Sequence, residues 1–430
     1  MPEKPNESKD AAPTCPPRRG MSTRLSGTFV SLQNPIYRLY YVSMSGHWIS
    51  MNMQTIARSL QVYRINESGA ILGLTSLAVA IPMIIFALPA GVIADRIQKK
   101  TVLVWGQVGS AVVSFGVALS MFFGYLGAQN PESWWVLVVS ALLQGSIMGI
   151  ILPSRQAIIS EIVSEEHLMN AISVNNMGMN VFRILAPAFT GVLIDLVDFY
   201  AVYLIITGLY VMGAISIAMV PPTRNRTVSM NSGTLNDVLE GWRYIRREKA
   251  IFLVLIFTIL ATVLGMPYAQ LLPMFTEGIL KVGATEMGVL ITVSGVGAIL
   301  GSIILANLRN KNRGKLMVFS GLLMGVALLV FSFSSWWYLS LGVIVLVGLG
   351  STGQMALGNS LIQYYADAAY RGRVMSFYMM GFGFGALGTF LAGILAQVVG
   401  VQWAVGSFAA VLVVYAVWVL AFTPPLRRLD

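Results

Sequence analysis

The stretch Gly91-Val-Ile-Ala-Asp95-Arg96-Ile-Gln-Lys99-Lys100 decides how this chain is read. It lies between two long apolar segments, 71–94 and 101–126. An Asp-Arg pair at the end of a membrane helix is costly unless something uses it. A glycine four residues before the aspartate lets a neighbouring helix approach closely. Two lysines just after it mark a cytoplasmic loop.

Working outward, composition places the whole chain in a bilayer. Hydrophobic residues are 56% and charged residues 11%, against roughly 25% charged in soluble domains. Apolar segments of crossing length recur at 39–62, 71–94, 101–126, 134–158, 171–196 and 199–220. They resume at 251–275, 287–308, 316–333, 337–362, 374–399 and 403–422. The expected fold is therefore all-α, with twelve transmembrane helices in two six-helix halves.

Basic residues give the expected orientation. With the N-terminus in the cytoplasm, 23 of the 28 lysines and arginines fall in cytoplasmic segments, and only Arg64 and Lys281 fall in outer loops. The net charge of +10 is thus a topology signal and excludes a nucleic-acid partner. Expected organisation is a disordered cytoplasmic tail (1–36), a first half (37–222), a cytoplasmic linker (223–250), a second half (251–423) and a short cytoplasmic tail (424–430). No cleavable leader is expected. Within the linker, Leu235, Leu239, Trp242 and Ile245 oppose Arg243, Arg246 and Arg247. That spacing predicts an amphipathic helix on the inner leaflet.

The halves read as diverged copies. Gly145-Ser146 pairs with Gly350-Ser351, Gly91 with Gly301, and Gly191 with Gly393, at nearly constant offsets. Repeats of this kind build transporters around a central path.

The chain resembles the major facilitator superfamily. Residues 91–100 look like its Gly-x-x-x-Asp-Arg-x-Gly-Arg-Arg/Lys signature, with Gln98 replacing the second glycine and Lys99 an arginine. It looks most like the enterobactin-exporter and macrolide-efflux branch. The carrying residues are Asn34-Pro35 with Met53-Gln54-Thr55, Pro153-Ser-Arg155-Gln-Ala157 leading into Asn170-Ala171, and Glu240-Gly-Trp-Arg-Tyr-Ile-Arg-Arg247. The resemblance implies alternating access, with Gly91, Asp95, Arg96, Lys99 and Lys100 as a gate that clamps the halves in the outward-facing state. A topology-setting pair is the alternative. Leu305 stands where Asp95 would map in the second half, so the clamp is asymmetric. Related chains often carry an acid in the first span; here Ser50-Met51-Asn52 has none, so no proton site is expected there.

Several polar residues are candidates for the substrate path. His47, Gln54 and Arg58 share one face of the first span with Met51. Arg58 either lines the path or snorkels outward; His47 either titrates or is a hydrogen-bonded structural residue. Asn176, Asn180 and Arg183 share a face of the fifth span, where Arg183 meets either a substrate or a helix-helix network. Arg155 lies beside the fourth span, and Gln144, Gln354 and Asn359 are polar contacts implied by the family's path. Pro187 and Gly191 resemble a degenerate exporter motif and are expected to bend the fifth span or pack it. Gly383-x-Gly385-x-x-Gly388 lies inside a span, so it is read as packing and not as a dinucleotide site.

No phosphate-binding loop or nucleophile-base-acid set is present, so neither an ATP-driven pump nor an enzyme is expected. The single cysteine, Cys15, and the histidines His47 and His167 form no metal motif; no metal or cofactor is expected. The sequence reads as a multi-pass cell-membrane protein, monomeric, with both termini cytoplasmic. It is expected to export a small hydrophobic, siderophore-like or drug-like molecule by proton antiport. Its expected partners are that substrate, protons and the lipid bilayer. Uptake or lipid translocation by the same fold is the alternative, and a non-transporting membrane sensor is a more distant one. The basic residues of the path are expected to disfavour cations and favour neutral or anionic molecules.

Asp95→Asn removes charge but not shape. It is expected to abolish transport at normal membrane levels, measured as substrate flux; normal flux in this variant sinks the gating role.

Overall fold

The computed structural model describes residues 29–222, 235–308, 311–427 and 429, and only the backbone of 88, 89, 91–96, 235–238 and 382. The first span, α1, runs Pro35–Asn66. Asn34 starts it, its side chain accepting from the Ile36 and Tyr37 amides at 2.9 and 3.4 Å, with Pro35 at the first helical position. α2 is Gly69–Arg96, α3 Lys99–Phe122 and α4 Trp134–Ala157. The run Glu165–Ala218 is broken at Asp198, whose φ of 76° interrupts the helix. It therefore makes two spans, α5 (165–197) and α6 (199–218). The second half holds α7 (Lys249–Gly265), α8 (Ala284–Asn307), α9 (Arg313–Ser332), α10 (Trp337–Tyr365), α11 (Arg371–Val399) and α12 (Val401–Phe422). Ten stretches are apolar enough to cross a bilayer, one of them the 54-residue run that makes two spans. α1 completes the twelve although its polar residues keep it out of that set.

One expectation needs correction, and one docking contact was not expected. The seventh span does not run unbroken over 251–275. It stops at Gly265, resumes as the short turn Pro267–Gln270, and ends in the π-helical turn Met274–Ile279. Pro267 and Pro273 each lack an amide hydrogen, which frees this backbone from a regular helix. The linker helix Leu235–Arg247 sets Trp242 and Ile245 of its apolar face on the second half and leaves Leu239 exposed. Trp242 meets Phe252 and Phe377, and Ile245 is fully buried. Tyr244 stacks on Tyr370 at 4.3 Å, and Glu240 pairs with Arg373 at 3.4 Å. The helix is docked on the second half, its Arg243, Arg246 and Arg247 left exposed.

The halves meet at the end opposite the termini, through two helix crossings. In one, α5 lies on α8. A Cβ added to Gly191 would sit 2.2 Å from the Ala284 carbonyl oxygen, and one added to Gly288 2.4 Å from that of Pro187. In the other, α2 lies on α11. A Cβ on Gly393 would sit 2.2 Å from the Gly69 oxygen, and one on Gly73 2.6 Å from Phe390 Cα. Gly191 and Gly393 thus occupy equivalent places in the repeat. Gly145 presses on Val79 of α2, and its counterpart in the second half is Gly348, which presses on Ser294 of α8; Gly350 instead faces α9. Polar contacts cap this end. Asp195 accepts from the Thr285 amide (2.8 Å) and hydroxyl (2.6 Å), and Arg64 pairs with Glu277 at 2.7 Å. Among the described residues no such crossing closes the other end, where α4 and α5 do not pack on α10 or α11.

The crossings are therefore the seal of this state. Gly191→Ala or Gly393→Ala is expected to drive helices apart by about 1 Å and shift the population toward opening at this end. The measurement is labelling of Thr55→Cys in a Cys15→Ser background by a membrane-impermeant thiol reagent added from that side. Labelling as slow as in the parent would show that the glycines do not hold the seal.

Candidate functional site

Two adjoining cavities lie between the halves, one layer in from the seal. The first, about 150 Å³, is walled by Asn52, Thr55 and Ser59 of α1, Pro187 of α5, Tyr268 and Gln270 of the interrupted end of α7, and Ser294 of α8. The second, about 260 Å³, is walled by Thr55, Arg58, Ser59, Thr75, Ser76, Thr262, Gln270 and Thr389. Both include Thr55, Ser59, Ala269 and Gln270, so they form one chamber around α1 and the end of α7. The proline-broken backbone at 266–270 is tolerated because it borders this chamber and not lipid. Tyr268 and Ser294 hydroxyls meet at 3.3 Å across the chamber wall.

α1 carries two polar faces, and the one toward the chamber is Asn52, Thr55 and Ser59. His47, Gln54 and Gln144 instead point into the first half, between α1, α3, α4 and α6. Each is at least 96% buried. Gln54 Nε2 donates to Ser114 Oγ at 3.2 Å. Gln144 Nε2 donates to Ser110 Oγ at 3.2 Å and to the Tyr210 hydroxyl at 3.1 Å. His47 stands edge-on to Tyr210, ring centroids 6.0 Å apart, with neither ring nitrogen hydrogen-bonded. Gln354 is likewise buried, donating to the Thr258 carbonyl at 3.3 Å within the second half. These four leave the path for the bundle interior. Asn359 is half-buried on α10 and accepts from Gln363.

Arg58 does not snorkel. It is 7% exposed, and its Nη1 is buried without a hydrogen-bond partner. The phenols of Tyr203 and Tyr210 lie within electrostatic reach. Arg183, by contrast, is exposed, as are Asn176 and Asn180, on the α5 face that carries Pro187 into the chamber. Tyr268 is within electrostatic reach of Arg183. Pro187 and Gly191 serve as the α8 contact surface described above. Arg155 is half-buried at the termini end of α4, where its carbonyl accepts from the Tyr40 hydroxyl at 3.2 Å.

Of the expected gate, the side chains of Gly91, Asp95 and Arg96 lie outside the described residues. Lys99 is committed elsewhere, in an ion pair with Glu161 whose side chains are only 10% and 11% exposed; Lys100 is half-buried. The signature residues of the first half also lock this end together. Asn34 Nδ2 donates to the Ile162 carbonyl (3.1 Å), the Ser31 amide to Asn170 (3.1 Å) and the Tyr37 hydroxyl to the Ala171 carbonyl (2.7 Å). Sequence reasoning missed Asn52, Thr55, Ser59, Tyr268 and Gln270. Their signal was present, since 52, 55 and 59 share a helical face, but their side chains are ordinary.

A twelve-helix, two-half bundle with a sealed end and an inter-half chamber is the architecture of a major facilitator transporter. Residues 26–430 match MFS_3, the transmembrane secretion effectors, and the chain belongs to that family. It is 24% identical to the Staphyloferrin A transporter of Staphylococcus aureus, over 83% of this chain and 87% of that one. It is 20% identical to Macrolide efflux protein A of Streptococcus pyogenes, over 78% and 84%. Its fold is that of the nucleoside transporter NupG, a point mutant of which superimposes with a TM-score of 0.72 at 13% identity over 90% of this chain and 100% of that one. The family's members are transporters and not enzymes.

Gln144→Ala is expected to cost about 2 kcal/mol of stability, from two hydrogen bonds and a small void, without changing ligand affinity. Thr55→Val should do the reverse. Thermal melting and ligand binding on the purified variants measure both; a Gln144→Ala protein that melts normally but binds poorly would put Gln144 back in the path.

Proposed function

We propose that this protein exports a small siderophore-like or drug-like molecule across the cell membrane by alternating access, in exchange for protons, as a monomer. The observation that carries the reading is the chamber between the halves, sealed on one side by the α5–α8 and α2–α11 crossings. The basic residues cluster at the end bearing the termini, which supports a cytoplasmic position for that end. The state described is then open to the cytoplasm, the state in which an exporter loads. The secretion and efflux names of the family and of one relative support that direction.

We place the proton by asking which carboxylates join the halves. α1 lacks a carboxylate near the chamber, and Glu161 is held by Lys99 inside the first half. Asp195 and Glu277 bridge the halves at the seal. The charges of Asp195 and Glu277 are what Thr285 and Arg64 bind, so a change at either carboxylate acts directly on the seal. Asp95 and His47 are the other groups to be neutralised in comparison.

In everted vesicles the protein is expected to accumulate substrate when the interior is acid and to stop when an uncoupler is added. Asp195→Asn should still exchange substrate but respond less to that gradient. Transport indifferent to the gradient would end the antiport reading, and net movement only in the opposite sense would make the protein an importer.

A further inference from the structure

The chamber contains a charge that the protein itself leaves unanswered. Arg58 lines the second cavity, is 93% buried, and has Nη1 without a partner. None of the residues walling either cavity is a carboxylate. Among the described residues Arg58 has no ion pair, and the nearby Tyr203 hydroxyl is also buried without a partner. Around it stand hydroxyls, those of Thr55, Ser59, Thr75, Ser76, Thr262 and Thr389. A guanidinium out of water normally acquires an anion. Each of these hydroxyls donates its proton to a carbonyl of its own helix, so it offers the chamber acceptor lone pairs and cannot neutralise the arginine.

We propose that the transported molecule carries a carboxylate, and that Arg58 is the group that binds it. This rests on the transporter reading above and narrows its substrate class. Nη1 is enclosed by protein, so the Nε–Nη2 edge is the planar pair of N–H donors left for a carboxylate to match with both oxygens. The hydroxyl ring takes the neutral polar part of the molecule. Arg183, exposed on the α5 face below Pro187 and within reach of Tyr268, is a second cation on the way in and repels cationic molecules before they arrive.

The test is binding to the purified full-length protein of three probes of matched size: 1-naphthoate, 1-naphthamide and 1-naphthylmethylamine. The carboxylate is expected to bind about tenfold more tightly than the amide, and the amine not at all. Arg58→Gln should erase the preference for the carboxylate while leaving amide binding unchanged, and Arg58→Lys should restore it in part. A measurement without ligand supports these. If Arg58 is an unpaired buried charge, Arg58→Gln melts at or above the temperature of the wild type; if it is structural, the variant melts lower. Equal binding of carboxylate and amide, tightest binding of the amine, or a lower melting point for ligand-free Arg58→Gln overturns the proposal. So does chloride stabilising the wild type as strongly as 1-naphthoate, which would make the site one for inorganic anions. Flux through proteoliposomes separates the two readings. Transport of neutral or cationic compounds independent of Arg58 removes the carboxylate site and leaves the transporter. The expected binding pattern without flux of any probe does the opposite.

Discussion

Helices in a bilayer gain nothing from hiding apolar surface against one another, because lipid is as apolar as leucine. What holds the two halves of this protein together is the closeness its glycines permit. At Gly191 against Ala284 and Gly393 against Gly69, backbone meets backbone with no side chain between. Packing of this kind falls off steeply with separation. A crossing built on it is either made or broken, with little in between, and this is the property a rocking transporter needs from its gate. The polar contacts at the same end, Asp195 with Thr285 and Arg64 with Glu277, add a part that charge can alter. The glycines give the seal its shape, and the polar contacts tie the same end together.

The first half must move as a rigid unit for such a seal to work. Its interior is unusually polar for a membrane bundle. Ser43, Ser50, Gln54, Gln107 and Gln144 donate to neighbouring helices through buried hydrogen bonds. Each such bond contributes about 0.6 kcal/mol on average in a membrane protein. Their larger effect is on specificity, since a buried amide forced to lose its partner pays its full desolvation cost. Together they fix how α1, α3, α4 and α6 fit. His47 is packed among them, edge-on to Tyr210.

The twelve spans in two halves were legible in the sequence, because hydropathy follows directly from the physics of the bilayer. The path was legible only in part. Helical spacing put Asn176, Asn180 and Arg183 on one face, and the structure puts Pro187 of that face in the chamber wall. The same rule grouped His47, Gln54 and Arg58, yet that face of α1 turns mostly into the first half. Periodicity says which residues point together; it does not say toward which neighbour. On a helix polar on two sides the larger, more eye-catching side chains drew the inference, and Asn52, Thr55 and Ser59 carried the chamber. The docking of the linker helix on the second half was hidden for a related reason. An amphipathic face looks the same whether its apolar side meets lipid or Phe377.

Arg58 is where these strands meet. An unpaired arginine at depth in a membrane protein costs about 3 kcal/mol on insertion scales, and the first half carries it without compensation. The second cavity that it lines is bounded by α1 and α2 on one side and by α7 and α11 on the other. A ligand held there touches both halves, immediately beside the α2–α11 crossing. It gains its contacts with Thr262 and Thr389 only while the halves are near, and a ligand can shift an equilibrium only by such a difference between states. On the proposed carboxylate site, the ligand's position is what would couple the buried charge to the glycine crossing.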